Sequence, residues 1–220
     1  MKFIVSASLL SADWYKLAEE VAKVESIQES WLHIDVMDGN FVPQISFGSS
    51  LVADIKAHTK LPIDVHLMVD NPESQIEQFA EAGADYITFH VEESHFPLRL
   101  IKTIKSFGIK AGISLNPFTS LSTVENILPY IDLLLIMSVE PGFSGQSFLP
   151  FCKGKIISAS NARKENHLQF LISVDGGVCA ENASEIVQYG ADVLVMGNFF
   201  FKNPFDKVKK TIEELKNPPL

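Results

Sequence analysis

Short apolar runs recur along the chain, each followed by a stretch whose apolar residues fall three or four apart. Eight runs have strand length: Phe3–Leu9, Trp31–Asp38, Ile63–Val69, Tyr86–Glu92, Ile109–Leu115, Asp132–Val139, Leu168–Asp175 and Asp192–Phe199. Most are rich in Val, Ile, Leu and Phe with little alternation, the pattern of parallel strands covered on both faces. Their starts are separated by as little as 23 residues (86 to 109) and as much as 36 (132 to 168), which is room for one strand and one crossover helix each time.

The intervening segments carry helix punctuation. Asn71-Pro72-Glu73 offers an N-cap, a first-turn proline and an early acid; Ile76, Phe79 and Ala80 mark one face, and Gly83 ends it. From Ala180 to Tyr189 the same plan returns, with Ala183, Ile186 and Val187 on one side and Gly190 as the stop. Both helices close on the phrase Gly-Ala-Asp, at 83–85 and 190–192, followed at once by an apolar run, so one supersecondary unit is being reused. Eight such units predict an α/β protein, a single (β/α)8 TIM barrel over residues 1–220, with its chemistry at the carboxyl ends of the strands. The alternative is an open, doubly wound sheet. Its GxGxxG turn after the first strand is missing, since Phe3–Leu10 runs directly into Ser11-Ala12-Asp13.

Composition narrows the class. Hydrophobic residues make up 46% and charged residues 20% of the 220, which excludes disordered and fibrous readings. Eighteen Lys+Arg against 27 Asp+Glu give a net charge of −9, and the only arginines are Arg99 and Arg163, so no nucleic-acid partner is expected. Cys152 and Cys179 form no CxxC pair, which points to a reducing compartment or to indifference about redox. The apolar opening from Met1 is broken by Ser6, Ser8 and Ser11, and no long apolar segment follows. The expectation is a cytoplasmic protein without a membrane partner.

Ionisable residues inside buried strands need a reason. His33 and Asp35 alternate with Leu32, Ile34 and Val36, so both face one side of the second strand. His66 stands near the end of the third run and Asp175 closes the seventh. In a barrel these four converge near one rim, and two imidazoles with two carboxylates form a candidate site for one divalent metal ion, Zn²⁺ or Fe²⁺ foremost, Mn²⁺ or Co²⁺ next. His90 is able to reach the same pocket, although a structural hydrogen bond accounts for it equally well; His58, His95 and His167 read as surface residues. Glycine turns follow the last three strands: Pro141–Ser147, Gly176-Gly177 and Gly197-Asn198. Backbone N–H groups there, together with helix N-termini, would cradle a phosphate in a chain so poor in arginine. Met37, Met68 and Met137 fall near the same rim, as core filling or as the lining of a sugar pocket.

Five motifs in order, Ser6–Asp13 (SASLLSAD), His33–Pro43 (HIDVMDGNFVP), Asp64–Met68 (DVHLM), Val139–Phe148 (VEPGFSGQSF) and Val174–Val178 (VDGGV), resemble the ribulose-phosphate 3-epimerase family over nearly the whole chain. The resemblance implies a (β/α)8 barrel of the pentose phosphate pathway, assembled as a homo-oligomer, that interconverts D-ribulose 5-phosphate and D-xylulose 5-phosphate with a divalent metal. It implies His33, Asp35, His66 and Asp175 as ligands, with Asp35 and Asp175 also serving as the acid/base pair. It places Ser8, His66, Met37, Met68 and Met137 around the sugar, and Gly142, Phe143, Ser144, Gly145, Gly176, Gly177, Gly197 and Asn198 in the phosphate cradle and its lid. One position departs: where the family usually has Gly-Ser, this chain has Gly197-Asn198, so a hydroxyl contact to phosphate is lost.

Inversion next to a ketone needs a proton to leave one face and another to arrive on the opposite face, which two opposed aspartates supply. No lysine stands in the carboxyl-terminal half of a strand, which disfavours a Schiff-base route and the Lys/Asp set of a sugar-phosphate decarboxylase. Epimerisation of a six-carbon ketose phosphate such as D-allulose 6-phosphate and a non-catalytic sugar-phosphate sensor remain as alternatives.

Overall fold

Each predicted run becomes one strand: β1 (Ile4–Ser8), β2 (Ser30–Met37), β3 (Ile63–Met68), β4 (Tyr86–His90), β5 (Lys110–Leu115), β6 (Leu133–Met137), β7 (Leu171–Asp175) and β8 (Val193–Met196). The computed structural model describes residues 2–217, so Met1 and residues 218–220 of the expected 1–220 span lie outside the described residues. All neighbouring strands pair in parallel and β1 also pairs with β8, closing the sheet into a barrel. The open-sheet alternative is thereby excluded.

Helices α1 (Leu17–Glu25), α2 (Ser49–Lys56), α3 (Ile76–Glu81), α4 (Pro97–Ser106), α5 (Cys152–Glu165), α6 (Ala180–Gln188), α7 (Asn198–Phe201) and α8 (Phe205–Lys216) run outside it. The crossover after β5 differs from the expected α-helix. It consists of two 3₁₀ segments, Leu121–Thr123 and Glu125–Tyr130. Pro129 lies inside the second, where its missing N–H and its ring are incompatible with an α-helical run. Most strands are shorter than their apolar runs, and in β7 and β8 the cause is identifiable. β7 starts at Leu171 rather than Leu168, after a turn in which His167 adopts φ 53°. β8 stops at Met196 because the Gly197 carbonyl accepts the N–H groups of Phe200 and Phe201, turning the three phenylalanines into α7.

The Gly-Ala-Asp phrase has a mechanical role. Gly83 (φ 94°) and Gly190 (φ 113°) end α3 and α6 in the left-handed region. The aspartates that follow reach sideways at the amino end of the barrel: Asp85 Oδ2 accepts the Ile63 N–H and Asp192 Oδ2 the Ile172 N–H, each at 2.8 Å. Asp132, before β6, does the same for Ala111 at 2.9 Å without the Gly-Ala prefix.

Strand alternation separates two interiors. Leu32, Ile34 and Val36 of β2 point outward into the apolar layer beneath the helices, while Trp31 joins Leu133, Leu135, Val193 and Val195 in a plug inside the barrel. Above that plug the interior turns polar: Ser6, His33, Asp35, Asp64, His66, Thr88, His90, Ser114 and Ser173 are all buried. The register sets the pairs side by side, with Asp35 opposite His66, Ser8 opposite His33 and Met137 opposite Asp175.

Candidate active site

The polar layer gathers the four expected residues. One donor atom from each of His33, Asp35, His66 and Asp175 lies within 4.8 Å of every other. His66 Nδ1 is 3.2 Å from Asp35 Oδ1 and 3.9 Å from Asp175 Oδ2; His33 Nε2 is 3.3 Å and 3.8 Å from the same two oxygens. Both imidazoles are fully buried, and the Asp35 side chain is only 4% exposed against 18% for Asp175. Desolvating an ion costs several kcal/mol. Such a cluster therefore persists only where its charges compensate one another or face a ligand.

Each charge has an identifiable cause. Around His33, burial disfavours the cation, but the carboxylates of Asp35 and Asp64 outweigh it and raise the pKa well above the usual 6.5. For Asp35, burial pushes upward, yet the charge and hydrogen bonds of His33 and His66 win and hold the carboxyl far below its ordinary range. The Ser8 hydroxyl also donates to Asp35 Oδ2 at 2.6 Å, and Ser46 Oγ donates to the Asp35 carbonyl. Asp175 goes the other way: burial, reinforced by the negative charge of Asp35, pushes it up to about 7. His66 is depressed to about 4, chiefly by burial. Two carboxylates whose environments drive them apart in this way are suited to opposite roles in proton transfer.

The donors fit a divalent ion. His33 Nδ1 faces Asp64 Oδ2 at 2.8 Å, which commits that nitrogen's proton to a carboxylate and directs the other nitrogen into the cluster. There Nε2 is buried with no aligned hydrogen bond. Mixed imidazole and carboxylate donors suit first-row transition metals and zinc.

Over this floor lies a cleft lined by Ser8, Asp35, Met37, Met68, Met137 and Asp175 together with Gly142, Phe143, Ser144, Gly145, Gly176, Gly177, Gly197 and Asn198. His33 and His66 sit beneath it rather than on its wall. Gly177 (φ 65°) is a position only glycine tolerates: a Cβ there would meet the Phe148 backbone nitrogen at 2.2 Å. The β6 loop is stapled internally, since Gln146 Nε2 donates to the carbonyls of Glu140 at 2.6 Å and Phe143 at 3.0 Å. Asn198 meets that loop directly, its Nδ2 lying 2.5 Å from where a Gly145 Cβ would stand.

Several participants escaped the sequence. Asp64 alternates with His66 as His33 does with Asp35, so its inward orientation was legible from the same periodicity. Ser138, whose hydroxyl donates to the carbonyls of Asp175 at 2.8 Å and Gly176 at 2.7 Å, and Ser46 had no distinguishing signal. His90 proves fully buried and 2.9 Å from His66 through the two Nε2 atoms. His58, His95 and His167 are exposed, as expected.

Known proteins place these features in context. Residues 4–201 match the model of the Ribulose-phosphate 3 epimerase family. The ribulose-phosphate 3-epimerase of Treponema pallidum is 43% identical over 199 residues, covering 90% of this chain and 91% of that protein. That of Methanocaldococcus jannaschii is 44% identical over 216 residues, covering 98% and 91%. Among solved structures, a tryptophan synthase alpha-subunit from Pyrococcus furiosus superposes with a TM-score of 0.70 at 14% identity, over 98% of this chain and 97% of that one. A 3-hexulose-6-phosphate synthase gives 0.68 at 18%, over 98% and 99%. These two likenesses concern the barrel alone. No helix among the described residues is long and apolar enough to cross a membrane.

Proposed function

The chain belongs to the ribulose-phosphate 3-epimerase family, an isomerase family acting on carbohydrates, and from that premise we propose that it interconverts D-ribulose 5-phosphate and D-xylulose 5-phosphate by two-base proton transfer at C3. The observation that carries the mechanism is the pair Asp35, from β2, and Asp175, from β7, flanked by the same two imidazoles and driven to opposite protonation preferences. Asp35, ionised and steadied by the Ser8 hydroxyl, takes the C3 proton from one face. Asp175 delivers a proton to the other face through the carboxyl oxygen not committed to an ion, and the roles exchange in the reverse direction. His33, Asp35, His66 and Asp175 would hold one divalent ion, Zn²⁺ or Fe²⁺ by donor type, which supplies Lewis-acid stabilisation of the charge that develops on the C2 oxygen.

The methionines 37, 68 and 137 line the sugar without competing for protons, and the glycine loops with Asn198 bind the phosphate through backbone N–H groups. The Asn198 amide stands against Gly145 in the lining of the cleft, and paired kinetics on five- and six-carbon ketose phosphates decide the preferred sugar length. The reading is of one catalytic domain spanning the chain, in the cytoplasm, forming a homo-oligomer as the family resemblance implies.

Turnover in D₂O tests the scheme. One solvent deuterium should appear at C3 of the product, and Asp35→Asn and Asp175→Asn should each fold while losing ~10²- to 10⁴-fold in rate, the range of a positioned acid or base. Near-native turnover in either variant overturns the two-base assignment, and full activity after exhaustive chelation overturns the metal.

A further inference from the structure

Behind His66 the polar layer continues into a chain of contacts that leads out of the site. His66 Nε2 is 2.9 Å from His90 Nε2, and the two rings stack at 5.0 Å between centroids. The far nitrogen of His90, Nδ1, has no aligned hydrogen bond and faces Glu92 Oε2 at 3.3 Å. Glu92 is anchored in turn, its Oε1 accepting the Asn116 N–H at 2.8 Å. Phe41 closes over the His90 ring at 4.6 Å, so the imidazole is fully buried and cannot exchange its partners for solvent.

A contact between two imidazole nitrogens holds one proton when both rings are neutral, and it has two arrangements. In the first, His66 carries its proton on Nδ1, toward Asp35, and accepts from His90 Nε2–H. His90 Nδ1 then presents a lone pair to the Glu92 carboxylate, which is repulsive. In the second, His66 Nε2–H donates to His90 Nε2, His90 bears its proton on Nδ1 toward Glu92, and His66 Nδ1 is left with a lone pair facing the carboxylates of Asp35 and Asp175. Only the second lets His66 act as a ligand.

We propose that Glu92, acting through His90, is a positioning residue that selects the ligating tautomer of His66, so that a carboxylate on the β4 loop sets the metal affinity of the cluster. This rests on the metal reading given above. It is the same logic by which Asp64 fixes His33, extended by one imidazole.

Zinc is the probe. Titration of wild-type protein and of Glu92→Gln against a competing chelator gives the two affinities, and long-range ¹H–¹⁵N spectra of the zinc-loaded proteins give the histidine tautomers. Expected are zinc binding by the wild type, a proton on Nε2 of His66 and on Nδ1 of His90, and zinc binding ~10- to 100-fold weaker in Glu92→Gln, the usual effect of removing an outer-shell partner of a ligand. Glutamine keeps an oxygen at only one of the two positions held by Oε1 and Oε2, so its amide nitrogen would face either the Asn116 N–H or His90 Nδ1. Absence of zinc binding by the wild type overturns the metal reading itself. Wild-type binding with a proton on Nε2 of His90, or with unchanged affinity in Glu92→Gln, overturns the relay alone. If Glu92→Gln does not fold, the wild-type tautomers still decide.

Discussion

Metal uptake should displace protons, and the structure says how many. In the metal-free cluster His33 is held as an imidazolium between Asp35 and Asp64, and Asp175 titrates at about 7. His66, depressed to about 4, carries no extra proton near neutrality. Ligation requires neutral imidazoles and ionised carboxylates. At pH 6 Asp175 is therefore ~90% protonated, a simple titration consequence of its pKa, and together with the His33 proton the release approaches ~2 per ion bound. The sign follows from the raised pKa values: affinity climbs with pH, steeply below about 7 and more gently above it as Asp175 empties. A slope of ~2 in log K per pH unit means that moving from pH 6 to pH 5 weakens binding ~100-fold. Isothermal titration of zinc into chelator-treated protein, in buffers of different ionisation enthalpy, counts the protons directly. Release below about half a proton at pH 6, with an affinity flat from pH 5 to 8, would refute the assignment of His33 and Asp175 as donors.

Two further outcomes are expected. Ser8→Ala removes the hydroxyl that donates to Asp35 Oδ2 at 2.6 Å, and a lost hydrogen bond to a charged acceptor, at about 1.5–3 kcal/mol, should lower kcat/KM by roughly one to two orders of magnitude with the fold intact by circular dichroism. Gly177→Ala combines a left-handed φ of 65° with a Cβ 2.2 Å from the Phe148 nitrogen, so it should both raise KM for the phosphorylated sugar and lower Tm, as steady-state kinetics and thermal melts would show.

Much of this was legible in the chain because parallel strands bury both faces, so an ionisable residue within one is conspicuous. His33, Asp35, His66 and Asp175 stood out for that reason; alternation put His33 and Asp35 on one face, and position at the strand ends brought in His66 and Asp175. What escaped was decided between segments distant in sequence. His90 alone looks like any core histidine; only the register of β3 against β4 brings it to His66, and only the loop after β4 supplies Glu92. The run Asp192–Phe199 read as one strand because phenylalanine suits strand and helix alike, and the hydrogen bonds gathered at the Gly197 carbonyl settle the matter in favour of α7. The crossover after β5 failed as a helix through Pro129, a breaker the regular spacing of the runs does not reveal.

Asp85, Asp132 and Asp192 clamp adjoining strands at the end of the cylinder remote from the cleft. A stave fastened at its foot cannot slide lengthwise past its neighbour, and a slip of one residue would turn every inward donor outward. Loops at the open mouth are thus free to change length or sequence over evolutionary time while the donor atoms below keep their alignment.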